Sequence, residues 1–243
     1  MTYYEGVIDY FVLKKDNKYF IFLLDNHDLN KCNFKSVDIS KLLEKYIEKN
    51  ANILLEEVVG DFNVKALFYN SEHNKKNYEF YKKYKKKVIP VDVRILFQDK
   101  KELDKLFYDE IYIKDKIYSS ELLKNLFFKM KEQYELLKDE LFKKDYISLE
   151  FIPLDYPYNY SDLNIDQQCE IFFSSLLDVY TIILLETSKK KYNFIYLGAF
   201  HCIHIFHLLK KYFNYRVIKD IDTNSKYYLE KLDEYNQSCI IIK

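Results

Sequence analysis

The chain has 243 residues, 49% of them hydrophobic, with 38 basic and 38 acidic residues. This length suits one domain, and the apolar content excludes global disorder because a sizeable core can be buried. A net charge of zero gives no electrostatic case for nucleic acid as the main partner.

The first half of the chain alternates strand and helix patterns. Short apolar runs bounded by polar turns predict strands, and apolar residues at helical spacing predict helices. Asp38 or Ser40 can cap the first helix. The predicted elements are strands over 4–15 and 17–25, a helix over 38–49, a strand over 52–59, a lysine-rich helix over 71–86 and a strand over 88–97.

The second half begins with a densely charged helical region, and strands return only near its end. An apolar stripe over 122–142 has helical spacing and predicts a core-facing helix. The further predicted elements are a loop over 149–162, a helix over 162–188, a strand over 193–198, a helix over 199–213, a strand over 215–221 and a short strand over 238–243.

This alternation predicts an α/β fold with a mostly parallel central sheet flanked by helices. We expect a single domain over 1–243 with a helical insert at about 101–188. The N-terminus lacks a signal-peptide pattern, no apolar run approaches the ~20 residues of a membrane span, and the four cysteines are scattered. These features predict a soluble intracellular protein with free thiols.

Candidate site residues follow from the rule that open α/β sheets bind ligands at the carboxyl ends of their strands. Four predicted strands end in titratable or cationic groups. They supply Asp25 with His27, Glu56 with Glu57, Asp92 with Arg94, and Gly198 followed by His201. Histidines and carboxylates suit acid–base catalysis or a divalent metal, and a guanidinium suits an oxyanion or a phosphate.

Each of these residues also has a structural interpretation. A histidine in a loop, such as His27, is more often solvated than a ligand. Glu56 and Glu57 point to opposite strand faces, so one of them at most enters a site. Asp92 and Arg94 lie two residues apart and predict a shared strand face, where they can form a structural ion pair.

Three histidines at a spacing of three occupy the helix over 199–213. Helical geometry places His201 within the apolar arc, His204 near its edge and His207 on the opposite side with Ile203. His201 also lies in the first turn, where the helix dipole disfavours imidazolium. We therefore expect His201 to be functional, His204 to support it and His207 to be solvated.

The order of these motifs resembles the superfamily that includes TraB/PrgY, TIKI, ChaN-like proteins and erythromycin esterases. Its landmarks would be Leu24-Asp25-Asn26-His27, Glu56, Asp92-x-Arg94 and Gly198-Ala-Phe-His201, although Leu24 stands where the family has glycine. Diverged proteins of this appearance occur in large AT-rich DNA viruses, which would place the chain in an infected host cell.

The resemblance implies a pocket of His27, Glu56, Arg94 and His201. The strand ends and the helix geometry add Asp25, Asp92, Glu57 and His204 as supporting residues. In relatives such a pocket serves metal-dependent peptide cleavage, ester hydrolysis or haem binding. The resulting prediction is a hydrolase acting on a small-molecule or peptide substrate, with a divalent metal of unspecified identity on His27, Glu56 and His201.

Two other functions stay open. A non-catalytic relative would act as a binding or host-interaction protein, and the lost glycine favours it. The lysine–aromatic segment over 75–87 has the composition of a nucleic-acid binder, although such a run is more often a solvated helix face. The sequence does not predict an oligomeric state.

Overall fold

A computed structural model describes residues 3–25, 35–59, 72–143, 163–220 and 240–241. The chain divides into two units. The first comprises Met1–Glu57, Asn63–Pro90 and Ser188–Lys243, and the second comprises Val58–Phe62 and Val91–Thr187.

The first unit contains most of a six-stranded sheet. Its strands are β2 (Asp9–Lys15), β3 (Lys18–Asp25), β5 (Asn52–Val58), β6 (Val88–Asp92), β7 (Tyr192–Gly198) and β8 (Arg216–Lys219). Their order in the sheet is β6-β5-β7-β3-β2-β8. Strands β3, β7 and β5 are parallel to one another, whereas β2 is antiparallel to both β3 and β8. The predicted α/β fold with a mostly parallel sheet is confirmed.

Helices cover both faces of this sheet within the first unit. Helices α1 (Ile39–Glu48) and α2 (Glu72–Lys83) contribute buried side chains to a core with alternate residues of the sheet, among them Leu23, Leu55 and Phe194. Helix α7 (Ala199–Tyr212) packs on the opposite face, where Phe206 meets Phe11 edge to face at 4.9 Å between ring centroids. Burial of both faces explains the near-continuous apolar runs of the central strands.

A small two-stranded sheet of β1 (Tyr4–Glu5) and β4 (Val37–Asp38) precedes α1. Ile240 forms an isolated antiparallel bridge with Tyr4. Asp38 is the helix cap of the two candidates, because its carboxylate accepts a hydrogen bond from the Ser40 amide at 2.9 Å. The remainder of the strand predicted over 238–243 lies outside the described residues, as does the loop predicted over 149–162.

The second unit is helical. It contains a 3₁₀ helix (Val93–Gln98), α3 (Lys100–Tyr108), α4 (Lys114–Ile117), α5 (Glu121–Leu141) and α6 (Ile165–Glu186). Most of the predicted apolar stripe of α5 is buried, but Leu126 and Phe142 are half-buried and Leu122 is 41% exposed. Stacked rings of Phe107 and Tyr134 and the edge contact of Phe97 with Phe172 join these helices into one core.

Among the described residues, one helix, α6, is long and apolar enough to cross a membrane, and 72% of its most apolar window is buried. Burial of this extent is typical of the core helix of a soluble protein. A capping box begins α6, in which Asn164 and Gln167 exchange side-chain to backbone hydrogen bonds.

The strand predicted over 88–97 is wrong beyond Asp92. The chain turns there into the 3₁₀ helix because the Asp92 carboxylate accepts the Arg94 amide at 3.0 Å and caps the turn. Apolar side chains fill the helix as they would a buried strand, so a short apolar run does not distinguish the two.

Candidate functional site

The carboxyl edge of three adjacent parallel strands, β5, β7 and β3, gathers the predicted residues of the first unit. Asp25 ends β3 directly beside Gly198, which ends β7, and Leu55 pairs with Tyr196 one strand further along. This register places Asp25, the Glu56-Glu57 pair and the start of α7 at one edge of the sheet. The prediction that these strand ends converge is therefore correct for the first unit.

Glu56 has a specific contact at this edge. Its Oε2 accepts a hydrogen bond from the Gly198 amide at 2.6 Å, and Gly198 is the N-cap residue of α7. Because the cap residue Gly198 has no side chain that could cap that terminus, the Glu56 carboxylate supplies negative charge at the positive end of the helix. Glu56 therefore fixes the turn from β7 into α7.

Glu57 points to the other face of β5, since strand side chains alternate. Its side chain is 5% exposed, and the Asp25 side chain is 3% exposed. Carboxylates are rarely buried to this extent unless they are paired or functional. Two buried carboxylates, from the strands β3 and β5 on either side of β7, thus lie at the predicted edge.

His201 occupies the first turn of α7 and is 5% exposed, as the helical geometry predicts. His204 is half-buried and His207 is exposed, so the predicted order of burial of the three histidines is confirmed. Ile203, predicted to lie on the side of His207, is instead buried. Cys202 is a buried free thiol whose Sγ lies 3.6 Å from the Leu197 carbonyl oxygen.

A buried tyrosine adds a polar group that the sequence analysis missed. Tyr196 is 2% exposed, and its hydroxyl donates to the Gly6 carbonyl at 2.5 Å. Burial raises the pKa of Tyr196 well above its ordinary value, and the nearby charges of Asp25 and Asp38 raise it further. A tyrosine within an apolar strand is predicted to be a core residue, and nothing in the sequence indicates that its hydroxyl has a specific partner.

Gly6 is required at this contact by its backbone. Its φ of +95° lies in a region that residues with a Cβ rarely adopt, and an added Cβ would lie 3.2 Å from Ile39 Cγ2.

Asp92 and Arg94 lie in the second unit and form a bidentate ion pair. Arg94 Nε and one terminal nitrogen donate to the two Asp92 oxygens at 2.8 and 2.9 Å. The guanidinium also lies 5.7 Å from the centre of the Phe173 ring. The structural ion pair is confirmed, but it forms across a 3₁₀ turn and not on a strand face.

The predicted pocket of His27, Glu56, Arg94 and His201 stays a prediction. His27 lies outside the described residues, and Arg94 belongs to the other unit. Within the described ranges, no group of three or more histidine, cysteine, aspartate or glutamate side chains is arranged to hold a metal ion. The metal centre predicted on His27, Glu56 and His201 includes His27, so it stays a prediction as well.

No protein-family model, curated protein or solved structure matches this chain. The resemblance to the TraB/PrgY and TIKI superfamily accordingly rests on the motif order alone.

Proposed function

We propose that the chain is a hydrolase-like enzyme whose site lies at the carboxyl edge of β5, β7 and β3. One observation carries the proposal. Three buried titratable side chains, Asp25, Glu57 and His201, come from three different elements and lie at the edge where α/β sheets bind ligands. Buried titratable groups in such a position are candidates for acid–base catalysis.

The chemistry that suits these groups is hydrolysis of an ester or a peptide. His201 would take a proton from water as the oxygen attacks the carbonyl carbon, and would return that proton to the leaving alkoxide or amine. Asp25 and Glu57 share the strand face of Leu23 and Leu55, opposite to α7, so they would orient the substrate rather than pair with the imidazole. Glu56 would act indirectly by holding the β7–α7 turn from which His201 projects.

The proposal also includes a divalent metal bound by His27, Glu56 and His201, which is tested separately from the acid–base mechanism. The donor set is incomplete without His27, so the acid–base mechanism does not use a metal. We further propose an intracellular location, which the buried free thiols Cys169 and Cys202 support.

The test is a turnover screen that uses p-nitrophenyl esters with acyl chains of two to eight carbons and a quenched fluorescent peptide library. Purified wild-type protein should hydrolyse at least one substrate, and metal content should be measured on the same sample. His27→Ala should abolish turnover if a metal participates, and should leave it largely intact if it does not. Absence of any turnover, with and without added Zn²⁺ or Mn²⁺, would contradict the enzyme proposal.

A non-catalytic binding or host-interaction protein is the second candidate. Two of the predicted catalytic residues have structural contacts, Glu56 with Gly198 and Arg94 with Asp92. A fold that has lost its activity can keep such contacts because they stabilise turns. Wild-type protein without turnover but with normal folding would favour this candidate.

A further inference from the structure

A row of basic and aromatic side chains crosses the first unit near the opposite, amino-terminal edge of the sheet. The register places Arg216 of β8 beside Lys14 of β2, Lys14 beside Tyr19 of β3, and Tyr19 beside Tyr192 of β7. Residues paired in this way share a sheet face. The row therefore runs across four adjacent strands, about 14 Å at the usual strand spacing.

The tyrosines of this row present their rings together. Tyr19 and Tyr192 are stacked with centroids 5.7 Å apart and an interplanar angle of 21°. Tyr46 of α1 meets Tyr192 edge to face at 5.9 Å. All three rings are half-buried, so each combines a packed edge with a surface that solvent reaches.

Lysine ammonium groups lie over each of these rings. Lys14 Nζ is 5.3 Å from the Tyr19 ring centre, Lys49 Nζ is 5.2 Å from that of Tyr46, and Lys191 Nζ is 5.3 Å from that of Tyr192. Arg216, one of two arginines in the chain, is exposed at the end of the row. The surface thus concentrates positive charge, although the whole chain is neutral.

A buried amide network holds the strand that carries Tyr192. Asn193 is fully buried, its amide donates to the Lys190 carbonyl at 3.0 Å, and its carbonyl oxygen accepts from Asn52 at 3.2 Å. Satisfied buried networks of this kind rigidify their surroundings. The rings are therefore presented on a fixed backbone, which lowers the entropy that a ligand must remove on binding.

We propose that this basic tyrosine row, made of Lys14, Tyr19, Tyr46, Tyr192 and Arg216, binds single-stranded nucleic acid. Bases stack on the tyrosine rings, and phosphates contact Lys14 and Arg216. A small anion would not need adjacent aromatic faces. Rings interleaved with cations are the combination that unpaired bases on a charged backbone require.

The lysines do not block this use of the rings. A surface lysine–ring contact is weaker than base stacking on a tyrosine, so a base can displace the ammonium group toward a phosphate. This row is distinct from the lysine-rich segment over 75–87. That segment has exposed lysines on the solvated face of α2 and beyond it, while Phe80 packs in the core.

The experiment measures fluorescence anisotropy of labelled 12-nucleotide oligouridylate, the matching DNA oligonucleotide and a duplex of equal length. The full chain should bind single strands more tightly than duplex, with an affinity that falls as salt rises from 50 to 300 mM. Comparison of the affinities for the RNA and the DNA oligonucleotide shows which of the two nucleic acids the chain prefers. Tyr19→Leu should weaken binding about tenfold, because one stacking platform is lost, without changing the salt dependence.

Lys14→Gln combined with Arg216→Gln tests the phosphate contacts. The double variant should lower the slope of log affinity against log salt by about 1.4, since each single-strand phosphate contact contributes about 0.7. The matched control is Lys131→Gln, because Lys131 lies 4.9 Å over the exposed Tyr108 in the second unit. This control should bind as the wild type does.

Three results would overturn the proposal. The first is that the wild type does not bind single strands at 50 mM salt. The second is that a folded Tyr19→Leu variant binds as tightly as the wild type. The third is that the control Lys131→Gln loses as much affinity as the double variant. Binding to anionic phosphatidylserine vesicles that is stronger than binding to oligonucleotides, and insensitive to Tyr19→Leu, would assign the row to a membrane surface instead.

Discussion

Glu56 shows how one carboxylate can look catalytic in the sequence and act structurally in the fold. It ends a strand, as a catalytic glutamate would, yet its Oε2 accepts the amide proton of Gly198 at 2.6 Å. The sequence could not separate these roles, because the partner is a backbone group 142 residues away. The contact forms only once β5 and β7 are paired.

We predict that Glu56→Ala destabilises the protein by about 1–3 kcal/mol, because the Gly198 amide loses a charged acceptor. Glu56→Gln keeps an acceptor oxygen and should cost less. Urea unfolding followed by circular dichroism measures both values. Equal stability of Glu56→Ala and wild type would show that this hydrogen bond contributes nothing.

Glu44 gives the clearest pH-dependent contact. Lys83 and Lys41 donate to its two oxygens at 2.8 and 2.9 Å and lower the pKa of Glu44 to about 2. The folded-state pKa lies below the ordinary value, so the stabilisation is present above about pH 4.5 and is lost as pH falls toward 2. The Glu44 side chain is 20% exposed, which limits the gain because solvent screens the pair.

Glu44→Gln should therefore lower the free energy of unfolding by less than about 1 kcal/mol at pH 6. The difference from wild type should shrink as pH approaches 2 and as salt is raised. Urea titrations at pH 6, 4 and 2.5 measure it, with the exposed Glu79→Gln as control. A difference that grows with acidification would contradict the assigned sign.

At the scale of elements, the strand and helix patterns of the first unit were largely predictable. Short apolar runs and helical stripes depend on local sequence, and β3, β5, β7 and α1 follow them closely. The strand predicted over 4–15 is interrupted, and β2 begins only at Asp9. The 3₁₀ helix after Asp92 was not predictable, since an apolar run of this length fits either structure. A side-chain cap decided the conformation.

This cap leads to a prediction for the second unit. Asp92→Ala removes the acceptor of both the Arg94 amide and its guanidinium, and leaves Arg94 without this partner. We expect the free energy of unfolding to fall by about 2–4 kcal/mol. This is slightly below the roughly 3–5 kcal/mol typical of a fully buried pair, because the Arg94 side chain is 15% exposed. Arg94→Lys should cost less because a single ammonium still pairs with the carboxylate. Thermal unfolding of the two variants compares the costs, and the reverse order would contradict this account.

At the scale of the whole molecule, net charge did not predict how charge is distributed over the surface. The total is zero, yet the sheet register brings Lys14 and Arg216 together from positions 202 residues apart in sequence. Parallel pairing likewise brings Asp25 and Gly198 side by side whatever lies between them, and this meeting of strand ends could be predicted once the strands were recognised. The pairing of Lys14 with Arg216 could not be predicted, because the local sequence does not specify the register between β2 and β8.

The matched pair of histidines on α7 tests the central proposal most directly. His201 is buried at the carboxyl edge and His207 is exposed on the same helix. With the best substrate from the turnover screen, His201→Gln should lower kcat/KM at least a hundredfold, in the range of a lost general base. His207→Gln should leave kcat/KM within about twofold, and both variants should keep the wild-type circular dichroism spectrum. Equal kcat/KM for the folded His201→Gln variant and wild type would contradict the proposed site.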